Sequence, residues 1–548
     1  RNFMEVAWNN SASRGVIGLI HPESHFTDDK ARLLRSKAYL RLSRHWHFIN
    51  EYQLFEIDHH VSYGVHIYRG YDADEPEFLM SSSLYHPETV IGSMVHNGEG
   101  EEPGLKGRKG DWDISPHAHR VLNIQLDQLR TWSETLGEST SAAVETKMVY
   151  SVNKASSDVI EKLGRLERIG VLNPSFSRGW DESIDRKKGR FQLEWGTSET
   201  WSDVILQGPN FHVGVPFNKQ PNATMKNNLD WSAVDLEQLP GDAVPVTSYK
   251  PIHDGKYDQL YTHWDLPNGD RVAARDYYRV AWRNMAANTG ERTLIPAIIP
   301  PGTAHIHGVS SFGFPCNSQQ ILLLVGGVLS SLLSDFSIRI APKSTISGDS
   351  VGRIAIDQQF LLSDLIQSRA LMLNCLTNAY ADLWNSLTDL TSEGQSWTGD
   401  YGYRDSVSMD VLDYEWSEDS PLRLAADRRQ AQVEIDALVS LMLGVTADEL
   451  CSIYRTQFPV LYKYDTQRDH YDQNGRLVPA EVLKAWQKLG DAATEDDLSA
   501  TNAQGFTYTY APPFATLDRE ADMRTAYAEF EQRLAERPGT VSAEAGGT

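Results

Sequence analysis

Cysteine is nearly absent. Cys316, Cys375 and Cys451 are the only three in 548 residues and stand far apart. That spacing excludes a disulfide framework and a thiolate zinc site, and it fits a reducing, cytoplasmic setting. Long apolar runs are also missing. The longest, 321–333, contains Gly326, Gly327, Ser330 and Ser331 and falls short of the roughly 20 residues a spanning helix needs, so no membrane is expected as a partner. Positive charge is scarce: 51 Lys and Arg face 74 Asp and Glu, a net charge of −23. A simple DNA binder is usually basic, so any nucleic-acid surface here must be a local patch on an acidic protein. The charge is in fact uneven, with acid concentrated in 400–419 and 491–497 and base in 106–109 and 186–190.

What is present suits a globular protein of two to four domains, with 41% hydrophobic and 23% charged residues. Residues 1–70 alternate strand and helix signals. VIGLI is a short buried-strand run. Asp28 and Asp29 open a helix in which Leu34, Ala38 and Leu42 recur on one face, and 47–55 and 61–68 are strand-like. Residues 71–115 hold no sustained period and are expected as loop or linker. Residues 116–345 carry short strand candidates (VILQ, FHVGVPF, YYRVAW, RTLIPAII) between Pro, Gly and Asn. From Ile356 the pattern turns helical, most strongly over 358–387 and 422–443. A last helix, 518–536, lines up Met523, Tyr527, Phe530 and Leu534 as one apolar stripe. No repeat of 20–50 residues is visible.

Three stretches, in this order, carry a family resemblance: GVIGLIHPESHFTDDKARLLR from Gly15, YRVAWRNMAANTGERTLIPAIIPPGTAHIHG from Tyr278, and ILLLVGGVLSSLLSDFSIR from Ile321. Together they resemble γ-class adenine-N6 DNA methyltransferases of the large type IIG-like restriction–modification and phage-defence kind. The resemblance implies an α/β fold, the C-terminal half of a Rossmann-like methyltransferase sheet (1–70). A linker (71–115), a β-rich target-recognition domain (116–345) and a mainly helical region (346–548) follow it. It implies duplex DNA as partner, with other defence-system subunits as a further class. It also implies methyl transfer from S-adenosylmethionine to a flipped adenine. The chain opens on Arg1, and the half that would bind the cofactor is expected upstream of it, so the chain alone is expected to be inactive.

The family's Asn/Asp/Ser-Pro-Pro-aromatic loop has no good match. Asn173-Pro174-Ser175-Phe176 lacks the second proline, and Ala511-Pro512-Pro513-Phe514 lacks a side-chain acceptor and reads as a turn. No glycine-rich cofactor loop follows an early strand; 98–104 is too charged. By resemblance, Phe55 is the aromatic that stacks on the flipped base; its bland alternative is a core residue. His59 and His60 have no further ligands spaced around them, so no metal site is expected there. Glu145 and Lys147 have a nuclease-like spacing without the preceding Asp.

Candidate DNA contacts fall in several groups. Arg271, Arg275, Arg279 and Arg283 share a spacing of four, with Arg292 beyond them. Arg178, Arg186, Lys187, Lys188 and Arg190 surround Trp180, and Lys106, Arg108 and Lys109 form another cluster. Cations of this kind, Lys219 among them, neutralise phosphates; Asn210, His212 and Asn218, in QGPNFHVGVPFNK, are candidates for reading bases. Arg275 and Arg283 have a competing use as partners of Asp270 or Asp276. Two other functions stay open: a non-catalytic DNA-recognition or scaffold subunit derived from such a methylase, and an RNA methyltransferase.

Overall fold

The computed structural model describes residues 2–59, 61–107, 109–138, 142–253, 255–285, 290–340, 345–386, 395–404 and 406–537. The chain divides into two compact units. One comprises Arg1–Glu167, Arg339–Pro342 and Leu443–Lys463; the other comprises Arg168–Ile338, Lys343–Met442 and Tyr464–Thr548. Mixed α/β structure with several small sheets runs through the described residues.

The first unit is built on a five-stranded sheet made from β1 (Val16–His21), β2 (Leu42–Ile49), β3 (Ser62–Arg69), β4 (Glu77–Leu84) and β5 (Leu122–Gln125). Their spatial order is β1-β3-β2-β4-β5. β3 is antiparallel to β1 and β2, while β2 is parallel to β4, so β1, β2 and β4 all point the same way. Helix α1 (Arg32–Arg41) joins β1 to β2, which are parallel and need such a crossover. Asp28 starts this segment by accepting a hydrogen bond from the Lys30 amide. Ala38, Tyr39 and Leu42 are fully buried, and Arg35 is buried with its guanidinium donating to the carbonyls of His25, Asp28 and Glu145.

Three details differ from expectation. β1 lies at an edge of the sheet and leaves Val16 77% and Ile20 57% exposed, where a buried strand was expected. The second strand starts and stops earlier than 47–55, because a 3-10 turn, Asn50–Tyr52, follows β2. Residues 71–115 contribute β4 and the helix Pro87–Ser93. β4 reads EFLMSSSL, and its buried Ser81 and Ser82 break the apolar alternation that marks a strand.

Part of the C-terminal helical region belongs to this first unit. In helix Ala447–Gln457, Glu449 pairs with Lys162 at 2.6 Å and the Gln457 amide donates to Ser156 at 2.9 Å. The Thr456 carbonyl accepts from the Leu105 amide at 3.0 Å.

The second unit carries an antiparallel sheet of β6 (Ser175–Ser177), β7 (Arg279–Arg283), β8 (Pro296–Ile299) and β9 (Val309–Gly313), in the spatial order β8-β7-β9-β6. Helices α2 (Gln319–Ser330), α3 (Leu332–Arg339), α4 (Ser363–Asn374), α5 (Ala425–Met442) and α6 (Arg519–Glu536) follow. The apolar run 321–333 is bent by 64° between α2 and α3, and among the described residues no single helix is long and apolar enough to cross a membrane. The expected helix 358–387 is interrupted after Asn374. There the Asn374 side chain accepts from the Ile298 amide and the Cys375 carbonyl accepts from Trp416. FHVGVPF is not a strand: Gly214 turns it at φ +64°, so Phe211, Val213 and Phe217 enter the core from a loop.

His305 sits fully buried in this unit. Its Nδ1–H donates to the Ile306 carbonyl at 3.1 Å, and the Ser311 hydroxyl lies 2.8 Å from Nε2. Burial, reinforced by the nearby Arg279 charge, lowers its pKa to about 3. A folded-state pKa below the unfolded value gives stability that is complete above about pH 6.5 and drains away as pH falls toward 3. His305→Gln should therefore remove on the order of 3 kcal/mol of the loss between pH 7 and pH 4. Denaturant melts at several pH values test this; an unchanged acid slope contradicts it.

Candidate functional site

The parallel strands β1, β2 and β4 end at His21, Ile49 and Leu84, all at the same edge of the first unit's sheet. In open α/β sheets ligands bind outside the carboxyl ends of the strands. The loop that leaves β2 at this edge presents Phe55. Its organiser is Asn50, fully buried, whose side-chain amide donates to the carbonyls of Phe55 at 2.9 Å and Ile57 at 3.0 Å. The Asn50 side-chain oxygen accepts from the Phe55 amide at 3.1 Å. The Phe55 ring is 43% exposed and stands edge-on to Tyr63 at 4.9 Å, so it is not the core residue of its bland alternative. Tyr52, Leu54, Ile57 and Val61 are also exposed on this loop, an apolar tip held by a buried polar anchor.

The candidate DNA contacts of the second unit separate into two classes. Arg186, Lys187 and Lys188 are exposed around the short helix Ile184–Lys187, and Arg178 is exposed with a loose pair to Asp181 at 3.6 Å. Lys188 and Arg190 line a cleft of about 200 Å³ with Trp180 and Tyr261. His212, Lys219 and Arg283 come together in a second cleft of about 390 Å³ with Asn218, Trp231 and Glu291. There Glu291 lies 3.2 Å from His212, and burial lowers the Arg283 pKa to about 10 while Glu291 opposes the shift.

The other class is buried and committed to internal partners, which corrects the expectation of DNA contact. Arg279 is fully buried and donates to the Thr303 carbonyl. Arg275 pairs with Asp258, rather than with Asp270 or Asp276, and donates to the Gly302 carbonyl at 2.8 Å. Arg292 pairs with the fully buried Asp335 at 2.8 Å and donates to the carbonyls of Ser330 and Ser331. Asn210 is 2% exposed, and its side chain closes a capping box with Gln207 and donates to the Lys219 and Val246 carbonyls. A spacing of four joins these arginines in sequence but not on one surface, because Arg271 lies on a separate short strand, paired with Asp265 at 3.8 Å.

The remaining motifs have structural uses. Lys147 pairs with Glu138 and Asp29, the Glu145 carbonyl holds Arg35, and the Glu145 carboxylate lies 3.8 Å from Arg32. Ala511 donates its amide to Asp472, and the Phe514 ring lies 5.9 Å from Trp486, as a turn before α6. Lys106 stacks over the Trp112 ring at 4.4 Å; Arg108 and His60 lie outside the described residues. The stretch 98–104 follows a helix rather than a strand, and a side chain at Gly104 would meet the Thr456 backbone at 2.9 Å.

Sequence reasoning missed two features. Asn50 gave no signal, since an isolated Asn ahead of a loop is ordinary. A group of His21, Glu23, His25, His45, His47 and His66, buried except for the half-buried His21, was foreshadowed by HPESH, RHWH and VHIY, three histidine-bearing segments on or just after strands of one sheet.

No known protein-family pattern matches the chain, and no curated protein matches it significantly. Among solved structures, the type IIL restriction–modification enzyme MmeI in complex with DNA is similar over 83% of this chain and 51% of its own, at 9% identity and a TM-score of 0.34. The type IIG restriction endonuclease BpuSI is similar over 83% of this chain and 49% of its own, at 12% identity and a TM-score of 0.25. The chain spans about half the length of each. Likeness of this degree assigns neither a fold nor a function.

The buried Arg292 pair makes a sharp prediction. Asp335→Ala leaves a desolvated guanidinium without its counter-charge and should cost about 3–5 kcal/mol of unfolding free energy. A loss below about 1 kcal/mol in denaturant melts would show that the pair is not desolvated.

Proposed function

We propose that this chain is part of a site-specific DNA adenine-N6 methyltransferase of a restriction–modification or anti-phage system. In this reading it contributes the second half of the catalytic sheet and the recognition of duplex DNA. The observation that carries the reading is the loop at the carboxyl edge of β1, β2 and β4. It presents Phe55, anchored by Asn50, at the place where α/β sheets bind their ligands. An exposed aromatic on a held loop is suited to stacking on a base taken out of the duplex. Two further features support the reading. The edge strand β1 exposes Val16 and Ile20, as suits a strand that pairs with further sheet. The second unit exposes Arg178, Arg186, Lys187, Lys188 and Lys219 for phosphate contact on an otherwise acidic protein. S-adenosylmethionine would be bound by residues outside this chain, and no step is derived through it. The non-catalytic recognition subunit shares the DNA contacts and differs in lacking methyl transfer.

The chain should bind mixed-sequence duplex DNA at low salt, with an affinity that falls as salt rises. Replacing Arg186, Lys187 and Lys188 together by Ala should flatten the log–log salt dependence by about two to three units, at roughly 0.9 for each phosphate no longer neutralised. Fluorescence anisotropy reads both quantities, and absence of binding to any duplex at low salt sinks the DNA reading. In the whole protein, Phe55→Ala should lower methyl transfer from labelled S-adenosylmethionine roughly tenfold to a hundredfold, the worth of one base–aromatic stack. Methyl transfer unaffected by Phe55→Ala would remove the stacking role, and none by the unsubstituted protein would leave the non-catalytic subunit.

A further inference from the structure

In the interior of the first unit, Glu23, His45 and His66 converge from the segment after β1, from β2 and from β3. Both imidazoles are fully buried and Glu23 is 6% exposed. The two carboxylate oxygens divide between the two rings: Oε2 lies 3.4 Å from His45 Nε2, and Oε1 lies 3.8 Å from His66 Nε2. Among the described residues no hydrogen bond satisfies Glu23 Oε1, His45 Nε2 or His66 Nε2, so three desolvated polar atoms face one another without partners. Unmet hydrogen bonding of this kind is costly in a protein interior. Gly64 makes the approach possible, because a side chain there would stand 2.0 Å from Glu23 Oε1 and 2.4 Å from His66 Nε2.

Metal bonds to imidazole nitrogen and carboxylate oxygen are about 2.0–2.2 Å, which in a tetrahedron holds ligand atoms roughly 3.3–3.5 Å apart. The gap of 3.4 Å is of that size and the gap of 3.8 Å slightly wider; both are too long for good hydrogen bonds and short enough for a shared ion after a small adjustment. Tyr150 donates its hydroxyl to Glu23 Oε2 at 2.8 Å, the kind of outer partner that orients a ligating carboxylate. The ring of His21 stacks on His66 at 4.0 Å. Its Nδ1–H is held by the Pro22 carbonyl, which leaves a lone pair on Nε2 that no hydrogen bond meets among the described residues.

We propose that Glu23, His45 and His66 bind a divalent first-row transition metal ion, which ties β2 and β3 to the segment that follows β1. Two imidazoles and one carboxylate form a donor set shared by zinc and non-haem iron sites. Binding through both Nε2 atoms leaves both Nδ1 atoms protonated, so the present Nδ1 to Nδ1 hydrogen bond of 3.0 Å opens; the His21 carbonyl, already interacting with His66, is the acceptor then available. The other histidines argue for the same choice. His47 Nδ1 accepts from the Ser83 amide and His117 Nδ1 accepts from the His119 amide, so each neutral ring carries its proton on Nε2. The second acid–histidine group, Glu102, His117 and His119, is thereby poorly prepared for a metal. The proposal rests on this geometry alone and not on DNA modification.

The test uses the full chain, loaded separately with Zn²⁺ and Co²⁺, freed of loose ions and counted by mass spectrometry. About one ion per chain is expected, falling to about a tenth or less in Glu23→Gln and unchanged in His119→Ala. Zn²⁺ should raise the thermal midpoint of the parent chain by about 5 °C or more and leave Glu23→Gln unmoved. Should Glu23→Gln fail to fold, Co²⁺ on the parent chain decides: intense visible bands of a low-coordinate ion support the site, and only the weak bands of hydrated cobalt overturn it. Equal metal content in the parent and Glu23→Gln, or loss of metal in His119→Ala alone, also overturns it.

Discussion

The second unit depends on guanidinium groups buried against carboxylates. Arg369 and Glu434, both fully buried, meet at 2.6 Å, and Glu434 also takes hydrogen bonds from Thr398 and Gln430. Arg519, at the start of α6, meets Asp465 at 2.6 Å. Asp436, pushed up to about 6 by burial, accepts the Leu332 amide at the bend between α2 and α3. Pairs of this kind add little net stability over an apolar core of the same shape, yet removing one partner strands a buried charge, so the helices that carry them must bury charge and apolar surface together. α5 shows the result: charged and apolar residues are buried on nearly every side of it.

The same constraint explains what could be read from sequence. Elements with a local cause were legible. The Asp28 cap on the turn that leads into α1, the buried Ala38, the strand at Arg279–Arg283 and α6, whose expected stripe buries Met523 and Phe530 and leaves Tyr527 and Leu534 half-buried, follow from local sequence. Elements with a distant cause were not. The break after Asn374 depends on Ile298 and Trp416, and β4 is a strand because its neighbours in the sheet complete it, not because FLMSSSL alternates.

Site residues divide along the same line. Sequence cannot distinguish an arginine that faces solvent from one whose carboxylate lies 43 positions away, as Asp335 does from Arg292. Arg275, Arg279 and Arg292 were therefore drawn into a DNA surface that their burial denies them, whereas Arg186, Lys187 and Lys188, in a short polar segment, are exposed as their composition suggests. Phe55 was singled out by resemblance alone. The structure adds Asn50, whose side chain holds the backbone around Phe55.

The helix Ala447–Gln457 has a consequence for how the first unit is made. It supplies Glu449, Thr456 and Gln457 to partners that lie before Glu167, yet nearly all of the second unit's sheet is translated in between. On the ribosome the five-stranded sheet therefore emerges before this helix, and the surface around Lys162, Ser156 and Leu105 stays wet until the helix arrives. Closing so long an intervening stretch adds an entropic barrier that local contacts cannot relieve. A nascent chain stalled before Leu443 lacks this helix and leaves the surface around Lys162, Ser156 and Leu105 open to chaperones and proteases.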